Sequence, residues 1–457
     1  MQNKTIMKKH HYAILACMLW GFADIHAQGL FESAVTDATE ESGRNKIALN
    51  GFARGSAFGG SKTFDYSSVF GEFCLQGKWS GGKTFLFSDV RVRGGLNLGE
   101  EYTTFQLKEA YAGYSTDKLD IFLGNQIVSW GRTDGFNPTN NITPNDYFFL
   151  SADPDDQKMS NFMLRTRYRI SDKIDIDLIG IPFYVSSIYR YDLFDMGQGV
   201  KFASPTIPEK SFRNSSAAAR INIELPRIGF AFSYFRGYDP FLGFNPQAID
   251  WQSDYPSVTY SSIPYLKNTI GADFALPLGP WIVRGELAYN LTHDYDTSQY
   301  IPAPNLSYVA GIERSIGGVT AILQYVGQYV TDFIPLQEPL LSDPMNPLAR
   351  MQYAEDLIHY ESALFNRKIF YHQEKTNHAL SLTLSRSFGY DAWNVELTGY
   401  FNITSKEYMF RPKISWRATD ALLLSVGCIY MNGPEKSVFK YAGPVLNGAF
   451  IELKASF

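Results

Sequence analysis

Residues Phe162–Ile170 read FMLRTRYRI. Side chains alternate across a strand, so Phe162, Leu164, Thr166, Tyr168 and Ile170 share one face, and Met163, Arg165, Arg167 and Arg169 share the other. The same period of two returns along the chain. Ala219, Ile221, Ile223 and Leu225 alternate with Arg220, Asn222 and Glu224. Ile270, Ala272, Phe274 and Leu276 alternate with Gly271, Asp273 and Ala275, and Val395, Leu397 and Phe401 with Asn394, Glu396 and Thr398. A chain with this many strands, each apolar on one face only, must bury or cover every apolar face at once. Runs of roughly ten residues are the length that crosses a bilayer at a tilt. After residue 27 no run approaches the roughly 18 consecutive apolar residues of a membrane helix.

Strand faces set the register. IDIDL follows Ser171-Asp172-Lys173, which places Arg169 opposite Asp175 and Arg167 opposite Asp177, and leaves Arg165 opposite Ile179. A turn over Pro277–Pro280 places Asp273 opposite Arg284. Short turns are expected near 80–83, 115–118, 171–173, 226–227, 277–280, 315–318, 388–391 and 418–420. Between them lie longer segments at 56–66, 97–103, 129–159, 185–213, 239–265, 291–303, 331–374 and 432–445, with a shorter one near 403–406. Short turns on one side and long loops on the other are the layout of an outer-membrane barrel. The expectation is all-β: a transmembrane antiparallel up-and-down β-barrel of about 18 strands, 16 to 18, with short periplasmic turns and long extracellular loops. A large sandwich would not need so many strands of this length, and a propeller would repeat a motif at a fixed period. Composition agrees: Phe 34, Tyr 29 and Trp 7 make the chain 15% aromatic, yet its mean hydropathy is only −0.18.

Lys8, Lys9, His10 and His11 precede a short apolar run from Tyr12 to Phe22, and Ile25-His26-Ala27 then stands before Gln28, with small residues near the cut. This reads as a secretory signal peptide over 1–27, followed by a periplasmic segment over 28–45 and the barrel over 46–457. Cleavage removes Lys4, Lys8, Lys9 and Asp24 and leaves a net charge of about −7, which argues against nucleic acid as a partner. Cys74 and Cys428 remain. By alternation they face lumen and lipid respectively, so they are expected to be unbridged.

The alternation puts Asp120, Gln126, Arg165, Arg167, Arg169, Asp175, Asp177, Arg220, Asp273, Arg284 and Glu286 on the pore-lining face. Glu224, Glu396, Arg411, Lys413, Arg417 and Glu452 share it. Both signs are present, which favours paired charges stiffening a wide wall over a dedicated anion ladder. Catalytic residues are not expected. His293, His359 and His372 fall in loops, and His378 lies on the opposite strand face from Ser381, which disfavours a barrel lipase. No His/Cys cluster has zinc spacing. Asp134, Asp146, Asp153, Asp155 and Asp156 could bind calcium but read first as a turn-forming acidic loop. No metal and no cofactor is expected.

After Gln126 the strand gives way to a segment dense in turn pairs: Asp134-Gly135, Asn137-Pro138, Asn141 and Thr143-Pro144. Such chemistry suits a loop that folds into the mouth of a pore. Trp130, Arg132, Asp134, Asn137, Asn141 and Asp146 are the expected constriction-loop residues. Gly124 would clear space for it, and Arg165 and Arg167 are the nearest expected partners of Asp134.

The stretch WGRTDGFNPTNNITPNDY, Trp130–Tyr147, resembles the WGRxDGxNPTxNxTPxDY signature of a family of bacterial outer-membrane porin-like barrels. LKEAY at Leu107–Tyr111, VRGELAY at Val283–Tyr289 and YMFRPKISW at Tyr408–Trp416 are similar to further segments of that family. The resemblance runs from about residue 46 to the C-terminus. It implies an outer-membrane barrel that acts as a channel, and it brings no substrate and no catalytic residues. The functional expectation is a porin-like channel for passive passage or export of small polar solutes, with outer-membrane lipid around it. The last strand, GAFIELKASF, ends on Phe457 and resembles the signal read by the barrel-assembly machinery. The rival expectation is a non-conducting barrel acting as receptor or envelope scaffold through its long loops, with a helix in 351–365.

Overall fold

A computed structural model describes residues 46–60, 64–197, 199–251 and 257–457. The expected signal peptide and periplasmic segment lie outside them. Seven strands come first: β1 Lys46–Gly59, β2 Ser68–Gly81, β3 Thr84–Asn97, β4 Glu100–Ser115, β5 Leu119–Gln126, β6 Asn161–Ser171 and β7 Ile174–Ile181. β8 Val200–Phe202, β9 Ser216–Leu225, β10 Ile228–Tyr238, β11 Gly243–Asp250 and β12 Ser257–Ile263 follow. Then come β13 Leu266–Leu278, β14 Trp281–Thr292, β15 Asn305–Ile316, β16 Val319–Val330 and helix α1 Pro347–Ile369. β17 Thr376–Phe388, β18 Trp393–Asn402, β19 Tyr408–Arg417, β20 Leu422–Asn432, helix α2 Val438–Leu446 and β21 Gly448–Ser456 complete the chain.

Eighteen of these strands form one antiparallel sheet. It closes because β1 pairs with β21, from Phe52↔Ser456 to Gly59↔Ala449, as well as with β2. Closure follows from the solvent: in hydrocarbon an unpaired backbone group costs several kcal/mol, so no edge can remain. Phe457 seals the seam. It exchanges two backbone hydrogen bonds of 2.9 Å with Gly51, and its ring stacks on Phe73 at 5.7 Å. Gly51 is required there, since a Cβ would meet the Phe457 ring at 2.6 Å.

The alternation resolves as expected. Leu164, Tyr168, Ile270, Leu323, Leu382 and Phe401 are exposed on the outer wall, while their strand neighbours Met163, Asp273, Gln324 and Ser381 are buried. At the short-turn end Phe388, Trp393 and Trp416 stack in a row, with centroids 6.3 and 5.5 Å apart, as an interfacial girdle requires. No helix among the described residues is long and apolar enough to cross a membrane. The apolar outer band is what makes this barrel membrane-spanning.

Two expectations about the connections are corrected. β3 and β4 are joined by Leu98 and Gly99 alone, both at positive φ (50° and 85°), so 97–103 is a tight hairpin rather than a loop. The turn after β13 is Gly279-Pro280 only, so Asp273 faces Glu286 and Ala275 faces Arg284. Strand pairing extended through Pro277 and Leu278, a two-residue shift that preserves the faces but changes every cross-strand partner.

The long loops are not separate. Phe148, Tyr191, Phe194, Phe244, Phe365, Ile369 and Val445 come from five of them and share one core over the barrel mouth. β8, β11 and β12 form a small sheet beside it. Asn366 of α1 bonds both the N–H and the C=O of Phe244, at 2.8 and 2.7 Å, and so docks the helix on that sheet. α1 is wider than the expected 351–365 because Asn346 caps its first turn and Pro347 occupies the first position.

Candidate functional site

The segment between β5 and β6 is a strap across the interior, and each end is tied by charge of opposite sign. Its first half is built around a wall carboxylate. Glu286 Oε1 on β14 accepts from the N–H groups of Arg132 (2.6 Å) and Thr133 (2.7 Å), from Thr133 Oγ1 (2.7 Å) and from Asn137 Nδ2 (2.9 Å). Glu286 Oε2 accepts from Thr139 Oγ1 at 2.9 Å. Gly131 has φ 116°, and a Cβ there would strike Glu286 Oε1 at 2.5 Å. The Gly-Arg-Thr, Asn-Pro-Thr sequence is therefore the wrapping of one buried carboxylate.

Arg132 then bridges two further strands. Its Nε donates to Asp273 Oδ1 at 2.9 Å and its NH2 to Glu224 on β9. Arg220 donates to the same Asp273 oxygen at 2.9 Å. Asp134 pairs with Arg284 at 2.7 Å, which also holds Glu313 at 2.5 Å. Arg165 and Arg167 are thus not its partners, because the strap passes across the lumen to β14 instead of returning along β6. Trp130 Nε1 points to Asp177 Oδ2 at 3.4 Å, and its ring packs with Val128, Ile142, Met163, Ile179 and Phe235. Asn141 is buried and donates to Thr139 O at 3.3 Å.

The second half of the strap carries the opposite polarity. Asp156 accepts from Arg54 on β1 at 2.6 Å, from Arg91 on β3 at 3.0 Å and from Ser151 at 2.6 Å. Burial works against its charge, yet the Arg54 and Arg91 guanidinium groups and the Ser151 hydroxyl hold its carboxyl well below the usual range. Arg93 lies 3.8 Å over the Phe149 ring. Asp146 belongs to this second half. It accepts from Phe148 N at 3.1 Å, and burial pushes its carboxyl up.

Three weakly informative sequence segments turn out to be docking points for the strap. In LKEAY a bulge leaves Lys108 unpaired in the ladder, between Leu107 and Glu109. Lys108 donates to the carbonyls of Asp156 (2.7 Å) and Lys158, and Glu109 accepts from Ile127 N at 2.8 Å. VRGELAY supplies Glu286 and Arg284. YMFRPKISW supplies Arg411, which donates to the carbonyls of Ser151 and Ala152 at 3.0 Å each. Gly124 has a different task from the one expected. At φ 138° a Cβ would meet Ala110 O at 2.2 Å, so it serves close backbone approach and not room for the strap.

The remaining wall residues pair diagonally. The register is as expected, with Arg167↔Asp177, Arg169↔Asp175 and Arg165↔Ile179. The contacts shift one step: Arg165 forks onto Asp177 (2.7–3.1 Å), Arg167 reaches Asp175 at 3.4 Å and Arg169 reaches Asp120 at 2.5 Å. Arg165, lacking an opposite carboxylate, takes its neighbour's. Gln126 donates to Met163 O at 3.1 Å. His378 bonds Tyr325 at 2.5 Å, away from buried Ser381. No group of three or more metal-type ligands occurs among the described residues. Cys74 and Cys428 are free thiols.

Of these residues, sequence reasoning singled out the strap's first half and Asp146, took Asp156 only as part of a turn-forming acidic loop, and missed Arg54 and Arg91. Nothing local distinguishes an arginine on β1 from any other lumen arginine.

No family model matches the chain, and no curated protein matches it. Solved structures do. Pseudomonas aeruginosa OccK2 (OpdF), crystallised in complex with glucuronate, superposes with a TM-score of 0.53 at 8% identity, over 90% of this chain and 97% of that one. P. aeruginosa OccK3 (OpdO) gives 0.52 at 10% identity, over 94% and 99%. P. aeruginosa OccK5 (OpdH) gives 0.51 at 10% identity, over 90% and 97%. At such identities the likeness is one of fold, and the fold is the closed 18-strand barrel of outer-membrane porins.

Proposed function

We propose that this protein is an outer-membrane channel that lets small polar solutes cross by diffusion. The observation that carries the reading is the strap. A single loop bonds to the inward faces of β9, β13 and β14 on one side and of β1, β3 and β19 on the other, while inward charges near it stay wet: the Glu224 side chain is 54% exposed and that of Arg167 34%. A loop held this firmly inside a wide barrel narrows the path without filling it. The likeness to OccK2, which binds glucuronate, supports a small solute. Planar-bilayer recording of the purified protein tests the proposal. Stepwise ionic conductance is expected.

A receptor or scaffold role is favoured by a different observation, the common aromatic core of the extracellular loops over the mouth. A silent bilayer would select it. In either case the proposed route into the membrane runs through the barrel-assembly machinery and the strand ending at Phe457.

A further inference from the structure

The strap leaves one sector of the wall free. It is hydrogen-bonded to strands on both sides of the barrel, but among the described residues no hydrogen bond or ion pair joins residues 127–160 to β15–β18. Its contact with that sector is a ring stack, Phe136 on Tyr400, with centroids 5.4 Å apart and planes 21° from parallel. The inward face of the free sector carries hydroxyls and amides among apolar Val309, Ile322, Val326 and Ala379, with Glu313 of β15 paired to Arg284 at its edge. Thr320, Gln324, Ser381, Thr383, Ser385 and Thr398 alternate with outer-wall leucines and valines. Thr383 lies directly opposite Thr398, Oγ1 to Oγ1 3.4 Å, and Ser315 bonds Thr320 at 2.8 Å. Glu396, the carboxylate of β18 on this face, is held by Lys413 at 3.4 Å.

The charged sector is unsuited to holding an ion of one sign. Arg165, Arg167, Arg169, Arg220 and Arg284 each have a carboxylate within 3.4 Å. A guanidinium already paired offers a passing anion little attraction, because a carboxylate sits beside it. Hydroxyls, in contrast, donate and accept at once and can exchange with the hydroxyls or hydration shell of a neutral solute without trapping it. A half-buried phenyl face at the edge of such a track suits the C–H face of a sugar ring.

Building on the channel reading above, we infer that the solute class is neutral and hydroxyl-rich, saccharides or polyols, passing along the β15–β18 sector beside Phe136.

Proteoliposome swelling with glucose, glucuronate and glucosamine, matched in size and different in charge, tests this together with bilayer conductance in KCl. Glucose is expected to enter severalfold faster than either charged analogue. Thr383→Val, which keeps volume and removes the hydroxyl, and Phe136→Ala should each lower the glucose rate severalfold relative to the KCl conductance of the same variant. Should Thr383→Val fail to insert, Thr398→Val reads the same place from the facing strand. Ionic conductance with glucuronate or glucosamine entering as fast as glucose would overturn the solute class and leave the channel standing. The absence of both conductance and swelling would overturn both.

Discussion

Glu286 shows how one side chain organises a segment far away in sequence. Its carboxylate satisfies two backbone N–H groups and three side-chain donors of the strap. Glu286→Ala strands those donors in a buried place, at a cost of about 3–5 kcal/mol. The expected outcome is a lower thermal midpoint in detergent and a noisier, larger conductance; a variant with parental traces would show that the strap stands without this anchor. His372 sets a pH dependence in the extracellular core. Burial, and then Arg367, lower its imidazole from the ordinary value of 6.5 to about 3. A histidine depressed in the folded state binds more protons when unfolded, so its environment is stable above about pH 6.5 and loses stability as pH falls toward 3. Limited proteolysis within 331–374 should accelerate between pH 7 and pH 4.5, and His372→Gln should flatten that change. Asp156 behaves differently. Its depressed carboxyl keeps its contribution until the pH drops well below the usual carboxylate range, so the strap itself should stay tied across the same window.

At the scale of elements, the strap is clamped by a cation at one end and an anion at the other. Arg132 meets wall carboxylates, and Asp156 meets wall arginines. The two clamps are far apart in the barrel and should act independently. Asp156→Asn should loosen only the β1–β3 end and raise conductance modestly. Deleting Asp134 to Asn145 removes the Asp134–Arg284 pair, the Asn137 and Thr139 donors to Glu286 and the Phe136 stack, and should raise single-channel conductance further and admit larger solutes. An unchanged size cut-off in the deletion would mean that the strap does not narrow the path. The Asn-Pro and Thr-Pro steps stiffen the free segment and reduce the ordering cost of roughly 1–2 kcal/mol per residue.

On the scale of the whole molecule, the outer band of exposed leucines, isoleucines and aromatics predicts that the protein stays in solution only with detergent and shows a β-rich circular dichroism spectrum. A monodisperse, detergent-free form would contradict a membrane-spanning barrel. Deleting Phe457 unlocks the β1–β21 seam at Gly51 and should slow assembly into the outer membrane, measured as the fraction of folded barrel.

The period of two determined the barrel, a strand count of 16 to 18 and the face of each side chain, because alternation is a local property that no tertiary contact can alter without exposing polar groups to lipid. The turn chemistry after Gln126 likewise announced an ordered segment. What the sequence could not determine was partner choice. A two-residue difference in where the β13 turn began exchanged Glu286 for Arg284 opposite Asp273, and long arginines reached diagonally past their register partners. Only the tertiary structure decided that the strap crosses to β14 and Asp134 meets Arg284, that Asp156 meets Arg54 and Arg91, and that the aromatic loops share one core. Each depends on distances across a closed barrel between residues far apart in sequence, Asp134 and Arg284 by 150, and a chain read one strand at a time has no measure of those distances.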